Sequence, residues 1–360
     1  MRKVKILHVL GGLNYGGAET FILNVYNNCN RDAVQFDALV RDSVNLQENR
    51  WKEFGGEVYG TAPFPKAIFK NYFQTKKFLK ENADKYDAIH IHANALVYVL
   101  PIVLAKKYGW KKIILHSHNT RSKAAEFLHK INRALLLDKI DICLSCGVDA
   151  GKWMFGKREF QIIKNGINIE KYRYSAATAL KKREELGFSS SDFVVGNVGR
   201  FSKQKNHVFL LDIFEEVLRQ APHAKLLLVG DGELKKEIEK KIQYKRMSDK
   251  VVILSNRNDV PELLQAMDVF LFPSLYEGLS IALIEAQAAG LPCFVSNSID
   301  EESIVSRNVK MLSLNFSPKE WASTLLQYSD EERNSGFNSV KNAGYDIEST
   351  INKLVSMYQC

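Results

Sequence analysis

A chain of 360 residues, 46% hydrophobic and 25% charged, is ordinary for a soluble globular protein and carries apolar material for two cores. Its longest apolar stretch, ALVYVLPIVLA (95–105), is eleven residues with a proline inside, against about 20 for a membrane-spanning helix, which excludes an integral membrane protein. The formal charge of +9 is uneven: residues 1–164 hold 26 Lys/Arg against 15 Asp/Glu, and the remainder holds 24 against 26. The partner of the first half is therefore expected to be anionic, with a membrane surface in view. Nucleic acid is not expected, because no aromatic and basic ladder or recognised motif is present. VKILHVL (4–10) behind Met-Arg-Lys is too short for a signal peptide and lacks a small-residue cleavage site. The expectation is a cytoplasmic chain, peripheral at most on the inner face of the membrane. Five cysteines, an odd and sparse set, make no disulfide framework. Cys143 and Cys146 form a lone C-x-x-C without the second pair that zinc needs, and are expected to be small buried residues near a strand end.

In chain order, VKILHVL, QFDALV, DAIHIHA, KIILHSH and DICLSC read as buried strands, with AETFILNVYNNCN and NYFQTKKFLKENAD among the helices between them. The glycine loop GGLNYGGAE (11–19) follows the first strand, but its spacing is not G-x-G-x-x-G. Glu19 is expected in the first turn of the helix that follows, where the dipole favours it. Lysines and aromatics in FPKAIFKNYFQTKKFLK (64–80) make a partly amphipathic stretch suited to a lipid surface. His90 and His92 share one strand face, as do His116 and His118 at the next strand end. No acidic residue joins them at ligand spacing, so they read as neutral histidines satisfying buried polar sites rather than as a metal centre. IIKNGINIEKYRYS (162–175), with its Asn165-Gly166 turn, marks the domain boundary.

The second half repeats the alternation. FVVGNVGR, AKLLLVGDG, KVVILS, VFLFPS and PCFVS are strands, and HVFLLDIFEEVLRQ, ELKKEIEKKIQYKRM and VPELLQAM are helices. Short continuous apolar strands between helices indicate parallel sheets covered on both faces, hence two Rossmann-like α/β domains. Arg200 lies just past a strand and Lys205 before the next helix, placed to converge on a diphosphate as a planar fork and a point charge. FLFPSLYEGLSIALIEAQAAGLPCFVS (270–296) then reads as strand, loop, short helix and strand. Ser280 is the expected N-cap, Gly290 the left-handed C-terminal cap, and Pro292 bars continuation. Glu277 thus falls in the loop after a strand, followed by Gly278, Leu279 and Ser280, and Glu285 about one turn inside the helix. Open α/β sheets bind ligands there. Two carboxylates beside a phosphate site suit a sugar nucleotide, since carboxylates accept hydrogen bonds from sugar hydroxyls while cations and a helix N-terminus take the phosphates.

This block resembles the Glu-x7-Glu signature of retaining GT-B glycosyltransferases of family four, with its E-G-[LF]-[PS] and E-A-x-A-x-G-x-P elements. The resemblance runs across nearly the whole chain. It implies parallel sheets facing a central cleft and a last helix, within YDIESTINKLVSMYQC, that crosses back to the first domain. The domains are then an acceptor-binding 1–164, a nucleotide-sugar-binding 165–345, and the helix 346–360. It also implies that Glu277 faces the donor sugar, that Glu285 holds the ribose, and that His118 hydrogen-bonds the transferred sugar. Gly16 and Gly17 of G-G-A-E would let the backbone approach the donor, and Asn256 and Arg257 would flank the base. The family's G-R-L-x-x-x-K-G is matched in its cations, but Phe201 and Asn206 replace the Leu and Gly.

The implied activity is retaining transfer of a hexose or N-acetylhexosamine from a nucleotide diphosphate sugar, UDP favoured, to a saccharide or lipid-linked saccharide. Its setting would be cell-surface polysaccharide synthesis of the capsule or exopolysaccharide type. No cofactor and no metal is expected: no two aspartates stand two residues apart, so the Asp-x-Asp that holds a divalent ion in the other major glycosyltransferase fold is missing. Two rivals share the residues: a GT-B sugar-nucleotide epimerase, betrayed by turnover without acceptor, and a non-catalytic nucleotide-sugar-binding subunit, betrayed by binding without turnover. A phosphorylase would need a pyridoxal-phosphate lysine, and the chain is short for one.

Overall fold

The computed structural model describes residues 2–14, 17–42, 45–119, 126–327 and 333–359. The chain divides into two compact units, Met1–Ile167 with Ile347–Cys360, and Asn168–Asp346. In the first, β1 (Val4–Leu10), β2 (Val34–Val40), β3 (Val58–Gly60), β4 (Ala88–Ala93), β5 (Ile113–Ser117), β6 (Ile142–Ser145) and β7 (Gln161–Ile162) form a parallel sheet in the order β3-β2-β1-β4-β5-β6-β7. In the second, β8 (Phe193–Val198), β9 (Ala224–Val229), β10 (Val251–Leu254), β11 (Val269–Phe272), β12 (Cys293–Ser296) and β13 (Val309–Leu312) run parallel as β10-β9-β8-β11-β12-β13.

Each sheet therefore reverses its winding once, between β1 and β4 and between β8 and β11. At such a point the loops leaving two adjacent strands part to opposite faces and open a crevice beyond the carboxyl ends. The five strands expected in each half are present. The additions, β3, β7 and β13, are two to four residues long and lie towards or at the sheet margins. VKML in β13 is half exposed and lacks an unbroken apolar run, so its composition carries little strand signal.

The segment 95–105 holds no membrane span: its second half enters the helix Leu100–Lys107 with Pro101 in the first turn, where its missing N–H is harmless. No helix among the described residues is long and apolar enough to cross a membrane. Cys143 and Cys146 are buried, and neither is in a disulfide. The last helix, Ile347–Gln359, belongs to the first unit. Ile347, Ile351, Leu354 and Tyr358 share a core with Ile6, Phe21, Phe36 and Trp51. Lys112 Nζ adds a 2.7 Å bond to the Met357 carbonyl near the end of that helix.

Candidate active site

In the second unit, the loops after β8 and β11 meet at the switch point. Leu275 N donates to Gln204 O at 2.8 Å, and Gln204 Nε2 donates to Tyr276 O at 3.0 Å. This stitching holds Lys205 Nζ 2.7 Å from Glu277 Oε1, with only 15% and 8% of the two side chains exposed. The same ammonium lies 4.5 Å from the centre of the Phe272 ring. A buried carboxylate thus sits against a cation that also lies over an aromatic face and keeps further N–H donors.

Asn206 explains how this loop forms without the family's glycine. It adopts left-handed φ 55°, ψ 42° at the head of the helix His207–Gln220, and its Nδ2 donates to Pro273 O at 3.1 Å. Asparagine tolerates that conformation better than most residues. Phe201, the other departure, is fully buried and packs its ring on His207.

Arg200 is not drawn to Lys205 by any described contact. Its side chain is 73% exposed and its guanidinium pairs with Glu233 at 3.1 Å. Glu233, which sequence reasoning missed, stands in the Gly-Asp-Gly-Glu loop after β9. That loop lies directly on the one after β8: Gly199 N bonds Val229 O, Phe201 N bonds Asp231 O, and Leu234 N bonds Phe201 O, all near 3 Å. A Cβ on Gly230 would come 2.0 Å from Gly199 O, and one on Gly232 would come 2.5 Å from Phe201 O, so side chains are excluded from both positions. Two glycines two apart after a strand are the signal that could have found this contact.

Glu285 sits one turn inside the helix Ile281–Ala288. It accepts a 2.6 Å bond from the hydroxyl of Tyr172, which the boundary segment carries and which sequence reasoning missed. Burial pushes its carboxyl up to about 7, against a smaller opposing effect of the tyrosine bond. Gly290 closes this helix at φ +71°, as expected. Ser280 occupies the N-cap position, but its hydroxyl makes no capping bond; instead its N–H donates to Ser303 Oγ at 3.1 Å. Ser280 is thus the expected N-cap by position and extended backbone, without the side-chain bond. Gly278 is exposed, with open space where a Cβ would stand, and Leu279 is half-buried. After β10, Asn256 is left-handed at φ 55° and Arg257 pairs with Asp259 at 2.7 Å. Lys182 reaches the same aspartate, so Arg257 is tied back to its own unit.

In the first unit, Gly17 opens the helix Gly17–Asn28, and Glu19 is in its first turn. Gly16 lies outside the described residues. Strand register puts His8 opposite His90 and His92 opposite His116, all on the face that carries the last helix. His118 follows beyond β5. His8 Nδ1 is 3.0 Å from His92 Nε2, and His92 Nδ1 is 2.8 Å from His118 Nε2. His90 bonds Tyr358 Oη at 2.7 Å and His116 Nδ1 at 3.3 Å. Burial holds His8 and His118 at about 3, and burial with help from neighbouring rings lowers the other three well below the ordinary imidazole value. Two trios, His8/His90/His92 and His92/His116/His118, bring ligand nitrogens within 4.8 Å of one another, and neither includes a carboxylate. Sequence reasoning missed His8, although its parity within β1 matches that of the other four.

A family model described as glycosyl transferases group 1 matches residues 179–343. EpsF of Bacillus subtilis (strain 168), named as a glycosyltransferase, is 30% identical over 98% of this chain and 96% of its own. An Escherichia coli enzyme named UDP-Gal:alpha-D-GlcNAc-diphosphoundecaprenol alpha-1,3-galactosyltransferase is 29% identical over 63% of this chain and 62% of its own. Among solved structures, Anabaena HepE in complex with UDP superposes with a TM-score of 0.79 at 19% identity, covering 99% of this chain and 100% of that one, a likeness of fold. With 30% identity held over nearly the whole of both EpsF and this chain, the chain belongs to the group 1 glycosyl transferases, of the GT-B family-four type.

Proposed function

We propose that the chain transfers a hexose or N-acetylhexosamine, with retention and without a metal, from a UDP-sugar to a saccharide or lipid-linked saccharide of a cell-surface polysaccharide. The observation that carries this reading is the Lys205–Glu277 pair at the β8/β11 switch point. It sets a cation for a diphosphate beside a carboxylate for sugar hydroxyls. In the reaction, the bond between the anomeric carbon and the β-phosphate oxygen breaks and negative charge grows on the diphosphate. Lys205 and Arg200 neutralise that charge, more strongly in the transition state than in the bound donor. Glu277 then takes hydroxyls of the cationic sugar, and the acceptor oxygen attacks from the face the diphosphate leaves, giving its proton to the departing β-phosphate oxygen. Glu285 accepts from the ribose, and Asn256 and Arg257 flank the base. His118 bonds the transferred sugar. The UDP choice is supported by the UDP named for HepE and the UDP-Gal named for the E. coli relative. The undecaprenol-linked acceptor named for the latter supports a lipid-linked acceptor.

The first unit is proposed to bring that acceptor from an anionic membrane surface. One face of the helix Ile68–Asn82 is buried through Asn71, Thr75 and Leu79. The other bears Phe69, 82% exposed, with Ile68, Tyr72, Phe73 and exposed lysines 70, 77 and 80.

The test is a panel of UDP- and GDP-sugars, scored by calorimetry and by turnover with and without a saccharide acceptor, in EDTA throughout. Expected are UDP-sugar binding, acceptor-dependent turnover that survives EDTA, and an Arg200→Ala variant that loses more in kcat than in donor affinity. Turnover of donor to an isomer without acceptor would make the chain an epimerase. Binding with no turnover would make it a silent subunit, and rescue by magnesium alone would end the metal-free mechanism.

A further inference from the structure

The histidines of the first unit form two separate hydrogen-bonded strings. One runs His116, His90, Tyr358 and ends on a hydroxyl, which can donate or accept. The other runs His8, His92, His118, and both of its ends, His8 Nε2 and His118 Nδ1, are buried and unpartnered. Each ring in this second string is kept neutral by burial. A neutral imidazole has one N–H and one bare nitrogen. Both nitrogens of His92 are engaged, so fixing one ring's tautomer fixes all three. Only two arrangements exist. Either every proton points towards His8 or every proton points towards His118.

The surroundings of His8 choose between them. Its ring meets Phe36 edge to face at 4.5 Å, and Trp51 and Tyr358 lie near perpendicular to it at 6.0 and 6.4 Å. A buried N–H among aromatic faces retains a weak acceptor in the π cloud, whereas a bare nitrogen there has none. Three rings at steep angles surround His8, against one tilted ring, Phe21 at 5.7 Å and 52°, beside His118, and on this ground the proton is placed on His8 Nε2. His8 Nδ1 then accepts from His92 Nε2–H, and His92 Nδ1 accepts from His118 Nε2–H. What remains at the far end is a bare Nδ1 on His118, an acceptor awaiting a donor.

We propose that His8 and His92 are positioning residues that hold the ring proton of His118 on Nε2, so that its Nδ1 is offered as an acceptor to a hydroxyl of the transferred sugar. The sugar end of this relay rests on the proposed role of His118; the proton order does not. A hydroxyl can both donate to Nδ1 and accept elsewhere, whereas a carboxylate or phosphate oxygen cannot donate, so the relay discriminates against anionic groups at that position.

The experiment is nitrogen-to-proton correlation spectroscopy on the histidine rings of the full chain, labelled with nitrogen-15, in the parent and in His92→Gln and His92→Leu variants. The parent is expected to show His118 protonated on Nε2 and bare on Nδ1. Glutamine can still accept from His118 through its oxygen and donate to His8 through its nitrogen, so His92→Gln keeps that tautomer. Leucine cannot, and His92→Leu should give a mixture. With UDP-glucose, His92→Leu should lose roughly two- to tenfold in kcat/KM, the effect of one misdirected hydrogen bond, and His92→Gln should recover most of it. A parent spectrum with the His118 proton on Nδ1 overturns the proposal without any variant. So does an unchanged tautomer in a folded His92→Leu, or stoichiometric Zn2+ on these rings in the purified chain. Parental UDP-glucose turnover by His118→Ala would remove the sugar contact alone, while the ring spectra still judge the relay.

Discussion

Burial and a phenol act in opposite directions on Glu285. Its folded pKa of about 7 exceeds the ordinary carboxylate value of 4.5 because burial disfavours the charge more than the Tyr172 bond favours it. A raised carboxylate means that the native state holds a proton the unfolded state has released. Its contribution is complete below about pH 4.5 and is lost as pH rises to about 7, with no further change above. The upper bound is about 3 kcal/mol at 1.36 kcal/mol per unit. Glu285→Gln keeps an oxygen for the Tyr172 hydroxyl and has no charge to bury. The variant should therefore gain on the parent by about 2–3 kcal/mol between pH 4.5 and pH 8 in urea unfolding. Parallel profiles would mean that Glu285 is not desolvated. Ribose hydroxyls donating to this oxygen would hold the ionised form and repay that penalty, which links the residue's cost in the free protein to a use in the liganded one. Glu277 and Glu285 were legible because spacing and flanking residues mark them. Tyr172, Glu233 and His8 were not, because each reaches its partner through chain separations of 33 to 113 residues or through strand register.

Loops carry the candidate site, and each is fixed by one or two backbone features. Asn206 is the clearest. In the left-handed region a β-carbon costs about 1–2 kcal/mol, and the Asn206 amide offsets part of this through its bond to Pro273 O. Asn206→Ala keeps the strain and loses the bond, so it should lower stability by about 1–2 kcal/mol. Asn206→Gly relieves the strain while losing the bond, and should fall within about 0.5 kcal/mol of the parent. Thermal unfolding followed by fluorescence of Trp321, buried in the same unit, would read both, with the other tryptophans replaced by phenylalanine. Equal losses in the two variants would show that the side-chain bond, not the backbone, holds the turn. The sequence made the central strands and the long helices plain because their apolar runs and 3.6-residue periods are strong. β3 and β7 escaped because two or three residues carry no period, and β13 because VKML is half exposed without an unbroken apolar run; Ser280 holds the expected N-cap position, but its hydroxyl makes no capping bond.

At the scale of the whole chain, charge and exposed apolar surface fall together. The excess of cations lies within residues 1–164, and so do two helices with uncovered apolar faces. The first is Ile68–Asn82. The second, Glu126–Leu136, exposes Phe127 (80%), Leu128, Ile131 and Leu135 and was not singled out from sequence, where it lacked the lysine density of the first. Each lysine near an anionic surface contributes about 1 kcal/mol, and each inserted phenylalanine about 1.5–3 kcal/mol. The two contributions respond differently to salt: the Debye length falls from about 10 Å at 0.1 M to about 3 Å at 1 M, while apolar insertion is unscreened. Co-sedimentation with vesicles of phosphatidylglycerol and phosphatidylcholine should therefore weaken with salt and with the phosphatidylcholine share. Phe69→Ser with Phe73→Ser should reduce binding at least tenfold at fixed salt, and leave transfer to a soluble short-chain acceptor unchanged. Phe127→Ser with Leu135→Ser tests the second helix in the same way. If the parent fails to sediment with anionic vesicles at low salt, the basic first unit serves a soluble acceptor. If it sediments but both phenylalanine pairs are indifferent, attraction is by charge alone and the apolar faces have another use.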